Sequence, residues 1–501
     1  MRKKRLAFNT ISSLTNQIVA ILCGFVLPRL ILRAYGSDVN GLLSSITQFL
    51  SVISFLEMGV GAVVQSSLYK PLAEKDTDAI SAIIVSANRF FHKIACIMLG
   101  YIAVLILFYP KMINMEFDPL FIIGLILSMS ISSFAQYYFG IVNQLLLNAA
   151  QKKYVVDIIQ CGTLILNTIA CSVLILMGQG ILAVKLTTSI IFLLRPALLI
   201  LYTHHHFNIN RQIKVVGEPI QQKWNGLAQH IAAVVLDGTD TIVLTALSTL
   251  SNVSIYAVYH LVVYGSKTLF LSLTGGIQSL LGDMLAKQET EKLNHTFGWV
   301  EWGIHSGVTF FFGCVGVLIM PFVQVYTRGI TDTNYAVPLF AAIITIANAT
   351  HCLRLPYNII ILAGGHYKQT QSCYIVAAIL NITVSILTVK LWGLVGVAIG
   401  TLVAMGYQTL WLAYYDSKNI VFWPMKNVVR QLFVDIMCII PAAMISMQFH
   451  LQALNYGAWV ALAIKVALVW AGAFLIVNML LCRDKLVACK NRLLMVKRKN
   501  R

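Results

Sequence analysis

The stretch AIIVSANRFFHKIACIMLGYIAVLILFY, residues 82–109, decides the fold class of this chain. It is long enough to cross a bilayer, because a membrane-spanning helix needs about 20 mostly apolar residues. Its polar side chains gather near one end, where Asn88, Arg89, His92 and Lys93 crowd one side of the predicted helix. The stretch therefore predicts a transmembrane helix that carries positive charge inside the membrane.

The same apolar pattern recurs along all 501 residues, of which 58% are hydrophobic and only 11% are charged. A soluble domain carries about 25% charged residues. We therefore predict an all-α integral membrane protein with about fourteen transmembrane helices and no sizeable soluble domain. The predicted spans are residues 8–32, 41–67, 82–109, 119–146, 155–177, 181–202, 224–250, 254–280, 298–326, 336–362, 370–390, 394–415, 429–450 and 458–481.

The basic residues define the orientation of these spans. The formal net charge is +18, but Lys and Arg lie in the short segments between apolar runs and form no basic soluble face for nucleic acid. With the N-terminus inside, the outer segments contain few of them: Arg33, Lys111, Arg328 and Lys390. The positive-inside rule therefore predicts that both termini are cytoplasmic.

An internal repeat organises the spans. The segment PLAEKDT, residues 71–77, matches MLAKQET, residues 284–290. Gly180, which opens the sixth span, and Gly393, before the twelfth, are separated by the same distance in sequence as these two segments. Several matches at one spacing are hard to obtain by chance, so we interpret them as two copies of a six-span unit.

Six spans in each copy give the two copies the same orientation. Such parallel repeats are related by an axis along the membrane normal, and the substrate site lies between them. We therefore predict an N-lobe over residues 1–215 and a C-lobe over residues 216–416. Residues 417–501 then contain spans 13 and 14 and a basic cytoplasmic tail.

Several basic residues lie within the predicted spans, where a cation that faces lipid costs about 2.5–3.5 kcal/mol. Lys185, Arg430 and Lys465 lie near span ends, so we expect them to snorkel to the interface. The others must face water or a partner, and a functional cavity is the usual reason. The candidate cavity cations are Arg89, Arg195, Lys267 and Arg354, with Arg29 as a further candidate.

Fewer acidic residues lie within the spans: Glu57, Asp237, Asp240 and Asp435. Asp237 and Asp240 share a helix face because they are three residues apart. The excess of deep cations predicts a cavity that attracts an anion. Glu57, Asp237 and Asp240 are candidate counter-charges or coupling sites for H⁺ or Na⁺. In the alternative interpretation, the charges pair internally and only hold helices in register.

No motif indicates an enzyme, a metal site or a cofactor. The sequence has no Walker motif for ATP, no HExxH and no GxSxG nucleophile elbow. The ten cysteines contain no CxxC pair, and most lie in apolar runs. We therefore expect a protein without catalytic residues, bound metal or cofactor.

Loop and packing motifs throughout the chain carry a family resemblance. In the first half they are YGSDVNG (35–41), FLEMGVG (55–61) and LYKPLA (68–73). In the second half they are CLRLPYN (352–358) and GGHYKQ (364–369). The chain resembles the bacterial polysaccharide and O-antigen flippases of the multidrug/oligosaccharidyl-lipid/polysaccharide exporter superfamily.

The resemblance implies a function in a bacterial cytoplasmic membrane. Two lobes would alternately expose a cationic cavity and move an undecaprenyl-pyrophosphate-linked oligosaccharide from the inner to the outer leaflet. The product would supply O-antigen, capsule or exopolysaccharide assembly, with other membrane proteins of that assembly as partners. Arginine suits this substrate because its guanidinium forms bidentate contacts with phosphate.

Two alternatives remain open at this stage. A multidrug exporter of the same superfamily, coupled to a cation gradient, would share the fold and bind cations through acidic residues. A non-transporting membrane component of polysaccharide assembly would need no charges deep in the membrane.

The predicted topology can be tested by labelling single cysteines in a cysteine-free variant. In intact cells, a membrane-impermeant thiol reagent should label Lys390→Cys, because that segment is predicted to be external. The same reagent should label Lys75→Cys only after the cells are opened. The reverse pattern would contradict the predicted orientation.

Overall fold

A computed structural model describes residues 2–113, 117–213 and 227–489 of the chain. Within these ranges it describes the side chains from residue 8 onward, except those of residues 54–56, 58–59 and 227–234. The described chain is almost entirely helical and contains no strand. It divides into two compact units, Met1–Ser254 and Ile255–Arg501.

Among the described residues, eight α-helices lie entirely within the first unit. They are α1 (Arg2–Ser51), α2 (Phe55–Glu74), α3 (Thr77–Met112), α4 (Pro119–Ala135), α5 (Ile141–Ala149), α6 (Lys153–Leu176), α7 (Ile181–His206) and α8 (Leu227–Leu247). Large apolar side chains from α1 to α7 fill the core of this unit, and Leu42, Ile46, Phe91 and Ile122 are completely or almost completely buried.

The remaining helices lie in the second unit, apart from the first turn of α9. They are α9 (Leu250–Ala286), α10 (Thr290–Tyr326), α11 (Pro338–Leu353), α12 (Leu355–Ala363), α13 (Tyr367–Trp392), α14 (Leu394–Asn419), α15 (Met425–Ser446) and α16 (Tyr456–Leu481). Helix α10 packs against α11, α15 and α16, and α14 packs against α11 and α13.

The predicted all-α membrane fold is confirmed. Among the described residues, twelve helical segments are long and apolar enough to cross a membrane. The first of them, Phe8–Ser51, combines the first predicted span with the start of the second. Helices α2 and α8 are the counterparts of the rest of span 2 and of span 7, so every predicted span corresponds to a helix.

Helix α1 is interrupted by one residue with a non-helical backbone, Gly36 (φ 85°, ψ 176°). Glycine reaches this positive φ without the steric penalty that a Cβ atom imposes. The chain changes direction at Gly36, between the first and second predicted spans.

The helix boundaries repeat with the spacing predicted from the sequence. Helix α3 begins at Thr77 and α10 at Thr290, while α7 and α14 begin at Ile181 and Leu394, so both pairs have the same separation along the chain. The turns before α3 and α10 contain left-handed residues, Lys75 and Gln288, at the same separation. The predicted boundary at 215/216 lies outside the described residues, and the division into lobes stays a prediction.

Each repeat also contains a helix that is broken midway. In the first repeat, the π-helical turn Gln136–Gly140 joins α4 to α5. In the second, α11 ends at Leu353 and α12 begins at Leu355, with Arg354 at the junction. Pro356 follows at once and has no N–H to donate to the preceding turn. Such breaks often occur at functional sites.

Close backbone packing joins α13 to α14. A Cβ atom at Gly396 would overlap the backbone of Thr388, and a Cβ atom at Gly400 would overlap the side chain of Ser385. The Gly396 contact involves backbone atoms, which cannot move aside as a flexible side chain can. The two glycines therefore permit the approach of these helices.

Gly396→Ala is expected to destabilise the protein by about 1–3 kcal/mol, the usual cost of overpacking. Gly406→Ala on the same helix is the matched control, because its Cβ would meet nothing within 4 Å. Thermal unfolding in detergent should show a lower melting temperature for Gly396→Ala alone. Equal melting temperatures for the two variants would contradict the packing account.

Candidate functional site

A polar cavity of about 510 Å³ lies within the first unit. Side chains from α1, α2, α4, α5, α6 and α7 and from the π-helical turn line it. The polar and charged lining residues are Thr47, Ser51, Glu57, Ser132, Ser133, Gln136, Tyr137, Gln144, Gln160, Lys185, Thr188, Ser189 and Arg195. So many polar groups inside a transmembrane unit indicate a space that holds water or a polar ligand.

The π-helical turn contributes two of these side chains, Gln136 and Tyr137. The Gln136 amide donates to Oε1 of Gln144 at 3.0 Å. Tyr137 forms a side-chain hydrogen bond with Glu57 of α2. The wider turn thus orients one amide and one phenol toward the cavity and ties α2 to the centre of the broken helix.

Three charged residues line the cavity, and two of them are positive. Arg195 is held in place, because its Nε donates to Oγ1 of Thr163 at 2.8 Å and its guanidinium lies 3.8 Å from the centre of the Phe192 ring. Lys185 comes from the same helix as Arg195, and Glu57 is the only acid among the lining residues. By residue type, the described lining therefore has two basic side chains and one acidic side chain.

The structure brings together only some of the predicted site residues. Arg195 and Glu57 line this cavity; Arg29 and Arg89 do not. Arg89 is exposed on α3, and Arg29 is partly buried on α1. Asp240 is buried on α8, whereas Asp237, three residues earlier, is exposed.

Lys267 and Arg354 are both buried in the second unit. The Arg354 guanidinium donates to Nδ1 of His351 at 3.2 Å, and Lys267 also interacts electrostatically with this imidazole. The Lys267 ammonium lies 5.2 Å from the centre of the Tyr264 ring. These two candidate cations therefore share one neighbourhood, at the junction between α11 and α12. Their functional roles stay predictions.

Sequence reasoning missed Lys185 as a cavity residue. Its place near the start of a predicted span indicated snorkelling, but the structure places it in the lining of the cavity. The neighbouring hydroxyls of Thr188 and Ser189, together with Arg195 farther along α7, give this helix a polar face. This polar face could have identified Lys185 as a cavity residue, whereas its position along the predicted span could not.

Solved structures share the fold of most of this chain. The structure of the lipid II flippase MurJ in an inward closed conformation matches with a TM-score of 0.70 at 13% identity, over 95% of this chain and 99% of that one. The eukaryotic MATE transporter AtDTX14 gives 0.58 at 11% identity, over 86% of this chain and 98% of its own.

An outward-facing multidrug resistance MATE transporter of the MOP superfamily gives a TM-score of 0.56 at 13% identity, over 83% of this chain and 96% of that chain. No protein-family model and no curated protein sequence matches the chain. The chain has the fold of these transporters. The structural matches establish the fold. At identities this low they do not identify the transported molecule, which has to be inferred from the cavity.

The charge of the cavity can be measured with Ser133→Cys in a cysteine-free variant, because Ser133 lines the cavity. A negatively charged thiol reagent should react faster than a positively charged one. Lys185→Gln or Arg195→Gln should each lower this preference about three- to tenfold, as expected for one charge at about 10 Å across a water-filled space, where the dielectric constant is close to that of water. Glu57→Gln should raise it.

Arg430→Gln is the matched control for that experiment. It removes a positive charge whose guanidinium bonds the Leu481 carbonyl oxygen in the second unit, so the preference at Ser133→Cys should stay unchanged. If Lys185→Gln and Arg195→Gln leave the ratio of the two reaction rates unchanged, these residues do not set the charge of the cavity.

Proposed function

We propose that this protein is a transporter that moves a lipid-linked oligosaccharide across a bacterial cytoplasmic membrane by alternating access. The observation that carries the proposal is the cavity of the first unit, with Lys185 and Arg195 against a single acid. Its chemistry suits a pyrophosphate, because burying that group without cationic partners would cost far more than a fold can supply.

The length over which the chain matches a solved flippase structure supports the same proposal. The chain aligns with nearly the whole length of a structure named as a lipid II flippase. A lipid flippase has to carry a polar head group across the apolar membrane core, while a lipid tail can stay in the bilayer. A small polar cavity inside a helical unit fits the head group better than the tail, which gains nothing from polar walls.

The second unit contributes further candidate head-group ligands. Lys267 and Arg354 are buried near His351. Arg354 occupies the junction of a broken helix, as Gln136 and Tyr137 do in the first repeat. Discontinuous helices commonly form substrate sites in secondary transporters. We therefore include both cations in the proposed substrate path.

A multidrug exporter is the second candidate function, and Glu57 favours it. An acid in the cavity could bind a cationic drug, and the fold also matches MATE transporters. The excess of positive charge in the cavity argues against this candidate, since a cation would approach two like charges for each opposite one.

Genetic complementation tests the proposal. The gene is deleted in its host and restored as wild type, Arg195→Gln or the control Arg430→Gln, at matched expression. Surface polysaccharide should disappear in the deletion strain while lipid-linked precursor accumulates in the inner leaflet. Wild type and Arg430→Gln should restore the polymer, whereas Arg195→Gln should restore a small fraction of it.

Normal surface polymer in the deletion strain, together with new sensitivity to cationic drugs, would instead support the multidrug exporter. In that case Glu57→Gln should abolish drug resistance and Arg195→Gln should preserve it. Normal polymer without any change in drug sensitivity would contradict both candidates.

A further inference from the structure

A buried acid–imidazole cluster lies where α10, α12 and α15 meet in the second unit. Nδ1 of His305 on α10 lies 2.6 Å from Oδ2 of Asp435 on α15. The His305 side chain is 1% exposed and that of Asp435 is 6% exposed. The Gln431 amide donates to the other Asp435 oxygen at 3.2 Å.

A second carboxylate, that of Glu301, lies one helical turn before His305 on α10. The Tyr357 hydroxyl donates to its Oε1 at 2.9 Å, and the Trp423 indole donates to its Oε2 at 2.9 Å. Glu301 and His305 are four residues apart and so share one face of the helix. Glu301 also interacts electrostatically with His305. The imidazole therefore bonds one anchored carboxylate and interacts electrostatically with a second.

One nitrogen of this imidazole has no hydrogen-bond partner in the part of the chain that the structure describes. Nε2 of His305 is buried and forms no hydrogen bond with any described residue. A buried polar atom is normally satisfied, and an exception calls for an explanation. A histidine with a purely structural role would have both nitrogens bonded. Here the free nitrogen has a lone pair available for a proton.

The neutral imidazole would use Nδ1–H to donate to Asp435 and would keep the lone pair on Nε2. A proton from water can bind at Nε2 and form an imidazolium, whose charge Asp435 and Glu301 balance. On release, the same proton returns to water and the neutral ring remains. A proton suits this cluster because Nδ1 already bonds a carboxylate while Nε2 has no hydrogen-bond partner among the described residues.

Other ionisable groups lie around the cluster and affect its electrostatics. Asp416 on α14 is 1% exposed, with both carboxyl oxygens unbonded among the described residues, and it interacts with Tyr357. Cys438 and Cys482 interact electrostatically with Asp435. Lys485, beyond α16, donates to the Gly298 carbonyl oxygen at 2.9 Å and interacts with Glu301. Burial lowers the pKa of Lys485.

We propose that His305, together with Asp435 and Glu301, is a proton-binding site of the second unit. It exchanges one proton with water, and α15 supplies the counter-charge that makes this exchange possible. Helix α15 therefore has a functional role, although it lies outside the two predicted six-span repeats. Its use as an energy input for transport rests on the proposed function; the binding of the proton does not.

A difference titration of purified protein in lipid nanodiscs tests the site without any cargo. Between the highest and the lowest pH at which the protein stays folded, wild type should bind one proton more than His305→Gln. In the Asp435→Asn background, His305→Gln should no longer change the uptake, because Asp435 is the carboxylate that bonds the imidazole directly. Glu301 remains, but its two oxygens already accept from Tyr357 and Trp423, so it does not replace Asp435. Asp435→Asn nearly preserves the shape of the side chain and also lowers uptake by one proton on its own.

His295→Gln is the matched control, since His295 is exposed on the same helix. It should lower the uptake by one proton in both the wild-type and the Asp435→Asn backgrounds. Size-exclusion profiles and tryptophan fluorescence identify folded variants, and if His305→Gln does not fold, Asp435→Asn carries the test.

Equal proton uptake by wild type and folded His305→Gln would overturn the proposal, as would unchanged uptake in Asp435→Asn. Release of the proton on addition of Na⁺ would also overturn it, because the site would then be a sodium site. A failure here would leave the transport proposal intact, since complementation measures polymer export. Conversely, a protein that exports no polymer would still show the difference in proton uptake between wild type and His305→Gln.

Discussion

The fold of this protein depends on how it accommodates charge in a medium that does not solvate it. Each buried cation or acid in a transmembrane helix needs a partner, a water-filled space or a ligand. The first unit meets this requirement with a polar cavity around Arg195, Lys185 and Glu57. The second unit meets it with the His305–Asp435 pair and with Glu301. The carboxylate of Glu301 accepts hydrogen bonds from Tyr357 and Trp423.

Broken helices bring these charges into position. The π-helical turn Gln136–Gly140 and the junction at Arg354 occur at corresponding places in the two repeats. Because a break changes which face of a helix a side chain occupies, it can turn polar groups inward without exposing them to lipid. The candidate site residues thus concentrate where regular hydrogen bonding is interrupted, as at other helical discontinuities in membrane proteins.

The sequence was sufficient to predict the helical membrane fold, the spans and the spacing of the repeat, because apolar length and matching turns such as Lys75 and Gln288 are local signals. It could not predict that Lys185 faces the cavity or that Arg89 is exposed, since depth along a helix says nothing about which side faces a neighbour. Asp435 was recognised as an acid within a span, but its partner His305 lies on a helix far away in sequence. Such a pair follows only from tertiary packing.

The most direct test of the account is the affinity of purified protein for polyprenyl-pyrophosphate-linked oligosaccharide. The comparison ligand is the same lipid-linked sugar with a neutral linkage in place of the pyrophosphate. Wild type should bind the pyrophosphate ligand more tightly, and Lys185→Gln with Arg195→Gln should remove most of that preference while Arg430→Gln retains it. Equal affinity for the charged and neutral ligands would contradict a cavity built for an anion.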